Sequence, residues 1–259
     1  MQQDTFISHL VELRERLLRM LLAVFVVLIG LLIWPGAGAM YDFVAAPLMQ
    51  TLAGVAPDAK MIATGVITPF LIPIKVTALA AFMIALPYLL YEAWGFVAPG
   101  LYEHEKKLAL PIVVGSTALF FLGVAFCYYL VFGRVFSFIL DWAPKSISVA
   151  PDIENYLNFV MTMFISFGLA FEIPVAVVLL VRSGIVTAEK LAEARSYVIL
   201  GSCFVAAVVT PPDAVSMLAL FIPMCILFEI GLFIARYVGV RRKEVESRPS
   251  SIDPTGNAP

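Results

Sequence analysis

Residues 17–34 of the chain are LLRMLLAVFVVLIGLLIW, and Arg19 is the only charged side chain among them. A helix of this length extends about 27 Å, close to the roughly 30 Å thickness of the hydrocarbon core of a bilayer. The composition agrees, because 61% of the 259 residues are hydrophobic and 14% are charged, against about 45–50% and 25% in soluble domains. The stretch is therefore predicted to cross a membrane, and the chain is predicted to be an integral membrane protein.

Five further apolar stretches follow the first, and each is interpreted as a helix. A span surrounded by lipid must close its backbone hydrogen bonds internally, and none of the stretches alternates as a barrel strand would. The expected fold is all-α, with six transmembrane helices at about 17–34, 69–97, 108–140, 156–181, 196–210 and 214–235. The predicted organisation is a cytoplasmic amphipathic N-terminus at 1–16, a membrane domain at 17–238 and a largely disordered cytoplasmic tail at 239–259.

The predicted spans are unequal in length. Only 15 residues lie between Arg195 and Pro211, which gives about 22 Å of helix. Either the bilayer thins at this fifth span or the helix does not reach across it. The second and third spans are long enough to tilt or to project beyond the membrane. Short fifth and sixth spans beside long ones predict a concave, glove-like body, in contrast to a regular bundle.

The distribution of Lys and Arg predicts the orientation, because these residues favour the cytoplasmic side of a membrane protein. With six spans both termini lie on the same side, and that side carries 13 of the 17 Lys and Arg residues. The other side carries Lys60, Lys75, Arg134 and Lys145. Both termini are therefore expected in the cytoplasm. A seventh span would remove this asymmetry.

Several functional classes are disfavoured by the composition. The net charge is −2 and no basic stripe is visible, so nucleic acid is not an expected partner. The chain has two histidines and no HExxH, Walker or GxGxxG motif, so no enzyme activity, metal or cofactor is expected. The three cysteines lie inside apolar stretches without a CxxC spacing, and they are interpreted as small apolar core residues.

Glu172 is the charged residue expected deepest in the membrane. Ten residues separate it from Arg182, about 15 Å of helix, and a charge at that depth costs roughly 2.5–3.5 kcal/mol. Pro174 is expected to kink this span, because proline removes a helix hydrogen bond. Glu172 either ties two helices together through hydrogen bonds or forms a polar site for a translocating or partner segment.

Other charged residues are expected near the membrane surfaces. Glu92 and Glu229 lie towards the cytoplasmic ends of their spans and are interpreted as interfacial carboxylates, while Lys75 and Arg134 are expected to extend towards the outer surface. The glutamates also raise an alternative function, a proton-coupled small-solute transporter that uses Glu92, Glu172 and Glu229 as a relay. That function would require a repeat and a closed polar pathway, and the sequence contains no visible sign of either.

Two cytoplasmic segments combine acidic and basic residues. In residues 8–19 the apolar positions share one helical face, and Glu12–Arg16 and Glu15–Arg19 have the spacing of i,i+4 ion pairs. From periodicity alone this segment is an amphipathic helix at the inner leaflet with a solvated ion-pair face. The second segment, 98–107, is APGLYEHEKK, which is interpreted from its chemistry as a capped turn carrying a positive-inside signal.

Six short motifs lie along most of the chain, from residue 8 to about residue 238. They are HLVELRERL at 9–17, APL at 46–48, FVAPGLYEHEKK at 96–107, FEIP at 171–174, TPPD at 210–213 and FEIG at 228–231. Each motif alone is weakly specific, but the full set in this order closely resembles the TatC family, the multispanning subunit of the twin-arginine protein translocase.

The resemblance implies a fold and a function. It implies six spans in the bacterial cytoplasmic (inner) membrane with both termini cytoplasmic, in agreement with the count above. It implies a core receptor subunit that binds twin-arginine signal peptides and, with TatB-like and TatA-like single-span partners, exports folded precursor proteins using the proton-motive force. A homo-oligomer within the receptor complex is also implied, with no nucleotide or other cofactor.

The resemblance also assigns residues to the signal peptide. The family's contacts fall on two carboxylates and three supporting side chains: Glu12, Glu105, Phe96, Leu101 and Arg14. A carboxylate can accept a guanidinium bidentately, whereas lysine lacks this fork geometry. Glu103 departs from many relatives, which carry a basic or neutral residue there. It either adds a third acceptor or pairs with Lys106 or Lys107.

The remaining implied roles lie in the second half of the chain. The apolar part of a signal peptide would insert near Glu172, and partner helices would dock around spans five and six. The expected partner contacts are Thr210, Met217 and Glu229, and the expected structural residues are Pro47, Pro211, Pro212 and Asp213. Met217 is a departure, because relatives carry a polar glutamine there. Methionine cannot form the interhelical hydrogen bond that glutamine could, which contributes about 0.6–2 kcal/mol in lipid. Partner docking at this point is therefore either weaker or compensated elsewhere.

Overall fold

The computed structural model describes residues 2–55, 61–97, 109–142, 150–210 and 213–246. Side chains are described in these ranges except at 2–9, 51–55, 94, 96–97, 109, 140 and 238–246. The helices in chain order are α1 (Gln2–Ile33), α2 (Ala37–Val55), α3 (Thr68–Val97), α4 (Ala109–Phe126), α5 (Phe132–Trp142), α6 (Ile153–Phe171), α7 (Ile173–Arg182), α8 (Ala188–Glu193), α9 (Arg195–Val209) and α10 (Ala214–Glu246). A π-helical turn, Cys127–Val131, joins α4 to α5.

The apolar helical segments match the six predicted spans in number and order. Five helical stretches are long and apolar enough to cross a membrane: Leu10–Ile33, Thr68–Ala93, Leu110–Ile139, Ile153–Arg182 and Ala214–Tyr237. The sixth apolar helix is α9, with 15 residues, which is the span predicted to be short. The all-α fold with six apolar helical segments is therefore as expected.

The third and fourth predicted spans are each built from two helices. The third continues from α4 to α5 through the π-helical turn, which has helical backbone angles at both of its ends. The fourth is broken at Glu172, where α6 ends and α7 begins with Pro174 in its first turn. This break is the kink expected from Pro174, because proline is tolerated in the first turn of a helix and disrupts its interior.

The first and last helices of the described residues extend beyond the predicted spans. α1 is one continuous helix that includes the predicted N-terminal segment 1–16 from Gln2 onward. α10 continues to Glu246, so residues 239–246, the first part of the predicted tail, are helical. Residues 236–246 contain no proline and are rich in Arg, Lys and Glu, which are good helix formers. The rest of the predicted tail, 247–259, lies outside the described residues.

The core lies where α4, α5 and α6 cross, and small residues allow the close approach. Phe132, Leu157 and Phe167 are at most 1% exposed. A Cβ built on Gly168 would meet the ring of Phe120, and one built on Gly123 would lie 2.5 Å from the backbone oxygen of Phe167. Because lipid gives helices little hydrophobic reason to associate, close packing at small residues such as these glycines helps to hold the helices together.

A clasp joins the segment before α3 to the start of α6. The Ile62 amide donates to the Pro151 oxygen at 3.0 Å, and the Ile153 amide donates to the Ile62 oxygen at 2.9 Å. The Thr64 hydroxyl donates to Asp152 Oδ2 at 2.7 Å. Asp152 Oδ1 also accepts the Glu154 and Asn155 amides at the N-terminus of α6. Asp152 therefore caps a helix and holds the preceding loop to it.

We expect Asp152→Asn to lower the thermal unfolding temperature of the purified protein at neutral pH. The Asn155 amide and the Thr64 hydroxyl hold the pKa of the Asp152 carboxyl below its usual value, near 3.9 in unfolded chains. The stability that the ionised Asp152 carboxylate adds to the fold is therefore fully present above about pH 4–5 and is lost as the pH falls through the lowered pKa. The difference in unfolding temperature between wild type and variant should therefore shrink below pH 4. Asp42→Asn, which alters an exposed carboxylate of α2, is the matched control and should show no such difference.

Candidate functional site

α1 is attached to the rest of the molecule mainly through α3. No residue from Leu10 to Ile33 is fully buried among the described residues, so α1 packs on α3 along one half-buried face and leaves its other faces exposed. Glu92, near the end of α3, is 5% exposed and contacts two arginines of α1. Its carboxylate accepts Arg16 Nη1 at 3.0 Å, and Arg19 Nη1 lies 3.8 Å away. These ion pairs fix the N-terminal half of α1 to α3.

The same arginines pair with glutamates of their own helix. Arg16 Nε and Nη2 donate to Glu12 Oε1 at 3.0 and 2.7 Å, and Arg19 lies 3.7 Å from Glu15. Both i,i+4 pairs predicted from the sequence are therefore present. The predicted solvated face is wrong for Arg16, whose side chain is 20% exposed, because Arg16 also reaches Glu92 on the neighbouring helix.

Two features of α3 shape the place where Arg16 lies. The Tyr88 hydroxyl donates to Glu92 Oε1 at 3.0 Å, so the carboxylate is held from its own helix. One turn further on, a Cβ built on Gly95 would overlap Arg16 Nη1 and lie 3.2 Å from Arg16 Cζ. The guanidinium therefore occupies space that any side chain at position 95 would fill. We call the connected side chains the Glu92 network: Glu12, Glu15, Arg16, Arg19, Tyr88 and Glu92.

The interpretation of Glu92 as an ordinary interfacial carboxylate missed this network. A usable signal was present, because the only acidic residue of α3 lies near its C-terminal end and two arginines of α1 are spaced one turn apart. Of the residues assigned by resemblance, Glu12 belongs to the network and Arg14 is exposed on α1. Glu103, Glu105 and Leu101 lie outside the described residues, as does the side chain of Phe96.

Glu172 lies at the break between α6 and α7. Its Oε1 is buried and has no hydrogen-bond partner among the described residues, and the hydroxyls of Thr117 and Ser216 share this state. The buried Ser116 side chain of α4 lies beside the same carboxyl. Because buried polar atoms are normally paired, the Glu172 oxygen can accept a hydrogen bond from a polar group of another segment.

Two of the motifs contact each other beside this break. A Cβ built on Gly231 would lie 2.8 Å from Pro174 Cα and 3.1 Å from Val177 Cβ. The FEIG motif of α10 therefore packs directly on the FEIP motif at the start of α7. Glu229 faces the other way, and its carboxylate accepts Arg195 Nε at 2.7 Å and Nη2 at 2.9 Å. This two-bond pair joins α10 to the start of α9.

The other residues assigned to partner contacts have internal positions. Thr210 is 5% exposed, and its hydroxyl donates to the Ala206 oxygen at 2.8 Å. Met217 is partly buried against the main core. Asp213 Oδ1 accepts the Ser216 amide at 2.7 Å, which caps α10. Pro47 lies inside α2, whereas Pro211 and Pro212 lie outside the described residues.

The comparisons with known proteins agree on one family. The family model for TatC, the Sec-independent protein translocase protein, matches residues 8–223. The Sec-independent protein translocase protein TatC of Haemophilus influenzae is 47% identical over 236 residues, which cover 91% of this chain and 90% of that protein. The TatC of Escherichia coli K12 is 44% identical over 247 residues, 94% of each chain.

A solved structure has the same fold. The crystal structure of the twin-arginine translocase receptor TatC superposes with a TM-score of 0.76 and 32% sequence identity. The match covers 88% of this chain and 98% of the other. TatC proteins are components of a membrane protein translocase and are not a family of enzymes. The sequence and structural matches over most of its length establish that this chain belongs to the TatC family of Sec-independent protein translocase proteins.

Proposed function

We propose that the chain is the receptor subunit that binds signal peptides carrying two consecutive arginines, with Glu12 and Glu105 as the acceptors. The observation that carries the proposal is the Glu12 carboxylate, which already accepts two N–H groups from one guanidinium, that of Arg16. The Glu12 side chain is 36% exposed, so its geometry suits a guanidinium and a ligand can reach it. Family membership supports the same role.

Arginine specificity follows from the chemistry of the two acceptors. A guanidinium presents several N–H donors in a rigid plane, and a carboxylate accepts two of them at once. Lysine offers a compact, strongly hydrated charge without this geometry. Two adjacent arginines require two carboxylates, and we propose that Glu105, with Phe96, Leu101 and Arg14 beside it, completes the site. Glu103 is either a third acceptor or a partner of the neighbouring lysines.

We expect a signal peptide with two lysines to bind at least tenfold more weakly than the same peptide with two arginines. Each lost charge-assisted hydrogen bond removes about 1.5–3 kcal/mol of favourable interaction, and 1.4 kcal/mol corresponds to a tenfold change in Kd. The measurement is photocrosslinking from position 105 to a labelled precursor in native membranes, with fluorescence anisotropy for Kd. A peptide with a scrambled apolar segment and intact arginines is the control. Equal binding of both peptides would contradict the proposed function.

We further propose how the rest of the molecule participates. The apolar part of the signal peptide inserts near Glu172, where the buried carboxyl oxygen lacks a partner. TatB-like and TatA-like single-span partners dock around α9 and α10, near Thr210, Met217 and Glu229. The internal hydrogen bond of Thr210 favours docking through backbone and apolar surface at this point. The receptor works as a homo-oligomer, and the proton-motive force drives export of folded precursors.

The proposed location is the bacterial cytoplasmic membrane, with both termini in the cytoplasm. The arginine-rich ends of α1 and α10 and the start of α9 would then lie on the cytoplasmic side. The solute-transporter alternative gains no support. Glu92 and Glu229 each pair with arginines of a different helix, which suits anchoring better than a connected proton relay.

A further inference from the structure

We propose that Glu92 is a positioning residue for the signal-peptide site: it holds Arg16 from α3, so that Glu12 can accept a guanidinium from a ligand. This inference rests on the proposed function and deepens it. Glu92 does not itself contact the peptide in this account. Its effect passes through Arg16, which is bonded to both carboxylates at once.

The two sides of the Arg16 guanidinium have different partners. Nε and Nη2 donate to Glu12, within α1. Nη1 donates to Glu92 Oε2 at 3.0 Å and lies 3.4 Å from the Glu92 backbone oxygen. Arg16 therefore occupies the same carboxylate that the incoming arginine would use. It is an internal competitor for the Glu12 site.

The side of Arg16 that faces Glu92 is held independently of Glu12. Glu92 is 5% exposed and is also bonded to the Tyr88 hydroxyl. The missing side chain of Gly95 gives the guanidinium room against α3. When Glu12 turns to a ligand, Arg16 keeps a buried carboxylate as its partner and is not left as an uncompensated charge, which would be costly in this environment.

The ion pairs of the Glu92 network also support this role, because each arginine keeps a carboxylate when Glu12 binds a ligand. Three carboxylates, Glu12, Glu15 and Glu92, share the two guanidiniums of Arg16 and Arg19. A guanidinium from a ligand can bind at Glu12, while Glu92 retains Arg16 and Glu15 retains Arg19.

The test compares three proteins by Kd for a synthetic twin-arginine signal peptide: full-length wild type, Glu92→Gln and the double variant Arg16→Gln/Glu92→Gln. In Glu92→Gln, Arg16 loses its second carboxylate and binds Glu12 more strongly. The peptide then competes with a tighter internal partner, and we expect Kd to rise about tenfold, the size of one charge-assisted hydrogen bond. In the double variant the competitor is gone, and Kd should return to within about threefold of wild type. Glu154→Gln, which breaks the Lys75 ion pair, is the control and should leave Kd unchanged.

The recovery in the double variant is the readout that a merely structural role would not produce. An unchanged Kd in Glu92→Gln, or a double variant as weak as Glu92→Gln, would overturn the inference. Thermal unfolding of each variant separates binding from folding. A twin-lysine peptide measured in parallel distinguishes failure of this inference from failure of the proposed function. If wild type binds both peptides equally, the proposed function fails as well. If wild type prefers arginine but the three proteins bind alike, only the role of Glu92 fails.

Discussion

Replacing both Glu12 and Glu105 with glutamine is expected to raise the Kd for a twin-arginine signal peptide at least 100-fold and to stop export of a folded reporter. Each carboxylate contributes a charge-assisted hydrogen bond of about 1.5–3 kcal/mol, and two such losses multiply in the binding constant. Glutamine keeps the shape of glutamate and one acceptor oxygen, so the loss reports charge and not packing. Each single variant should lose about tenfold.

The measurement pairs peptide binding to the purified protein with export of the reporter by cells whose only copy carries the substitutions. Glu193→Gln is a suitable control, because it removes an exposed carboxylate of α8 that has no proposed contact with the peptide. Normal export by the double glutamine variant, with an unchanged Kd, would show that these carboxylates do not hold the signal peptide.

The spans were predictable because the property that defines them, a continuous apolar stretch, is local in the sequence. An apolar stretch of about 20 residues must be helical in lipid, so α3 and α9 begin and end within a residue or two of their expected bounds. The break at Glu172 was predictable for the same reason, since Pro174 acts on its own backbone. α2 was not predicted as a helix, because it lies in the segment 35–68 between the first two predicted spans.

The Glu92 network was not predictable from local patterns, because it depends on which helices lie side by side. Spacing alone predicts Glu12–Arg16, four residues apart, but the Arg16–Glu92 pair joins positions 76 residues apart. The same limit applies to the contact between Gly231 and Pro174. Both motifs were identified in the sequence, yet their meeting is a consequence of α7 packing on α10.

That contact leads to the second large effect, which we expect from Gly231→Ala. On an exposed helix this change would stabilise slightly, because alanine has the higher helix propensity. At position 231 the new Cβ would lie 2.8 Å from Pro174 Cα, a backbone atom that cannot rotate away. Forcing an atom into a packed interface costs about 1–3 kcal/mol, so α7 and α10 must separate.

The sign of the effect makes the test decisive. Gly201→Ala, in α9, places the same methyl group where nothing lies within 4 Å, and it should leave thermal stability equal or slightly higher. Gly231→Ala should lower the unfolding temperature of the purified protein and reduce its accumulation in membranes. Because this crossing carries Glu172 and Glu229, reporter export should fall along with stability. A Gly231→Ala protein as stable as Gly201→Ala would mean that α7 and α10 do not pack this closely in the membrane.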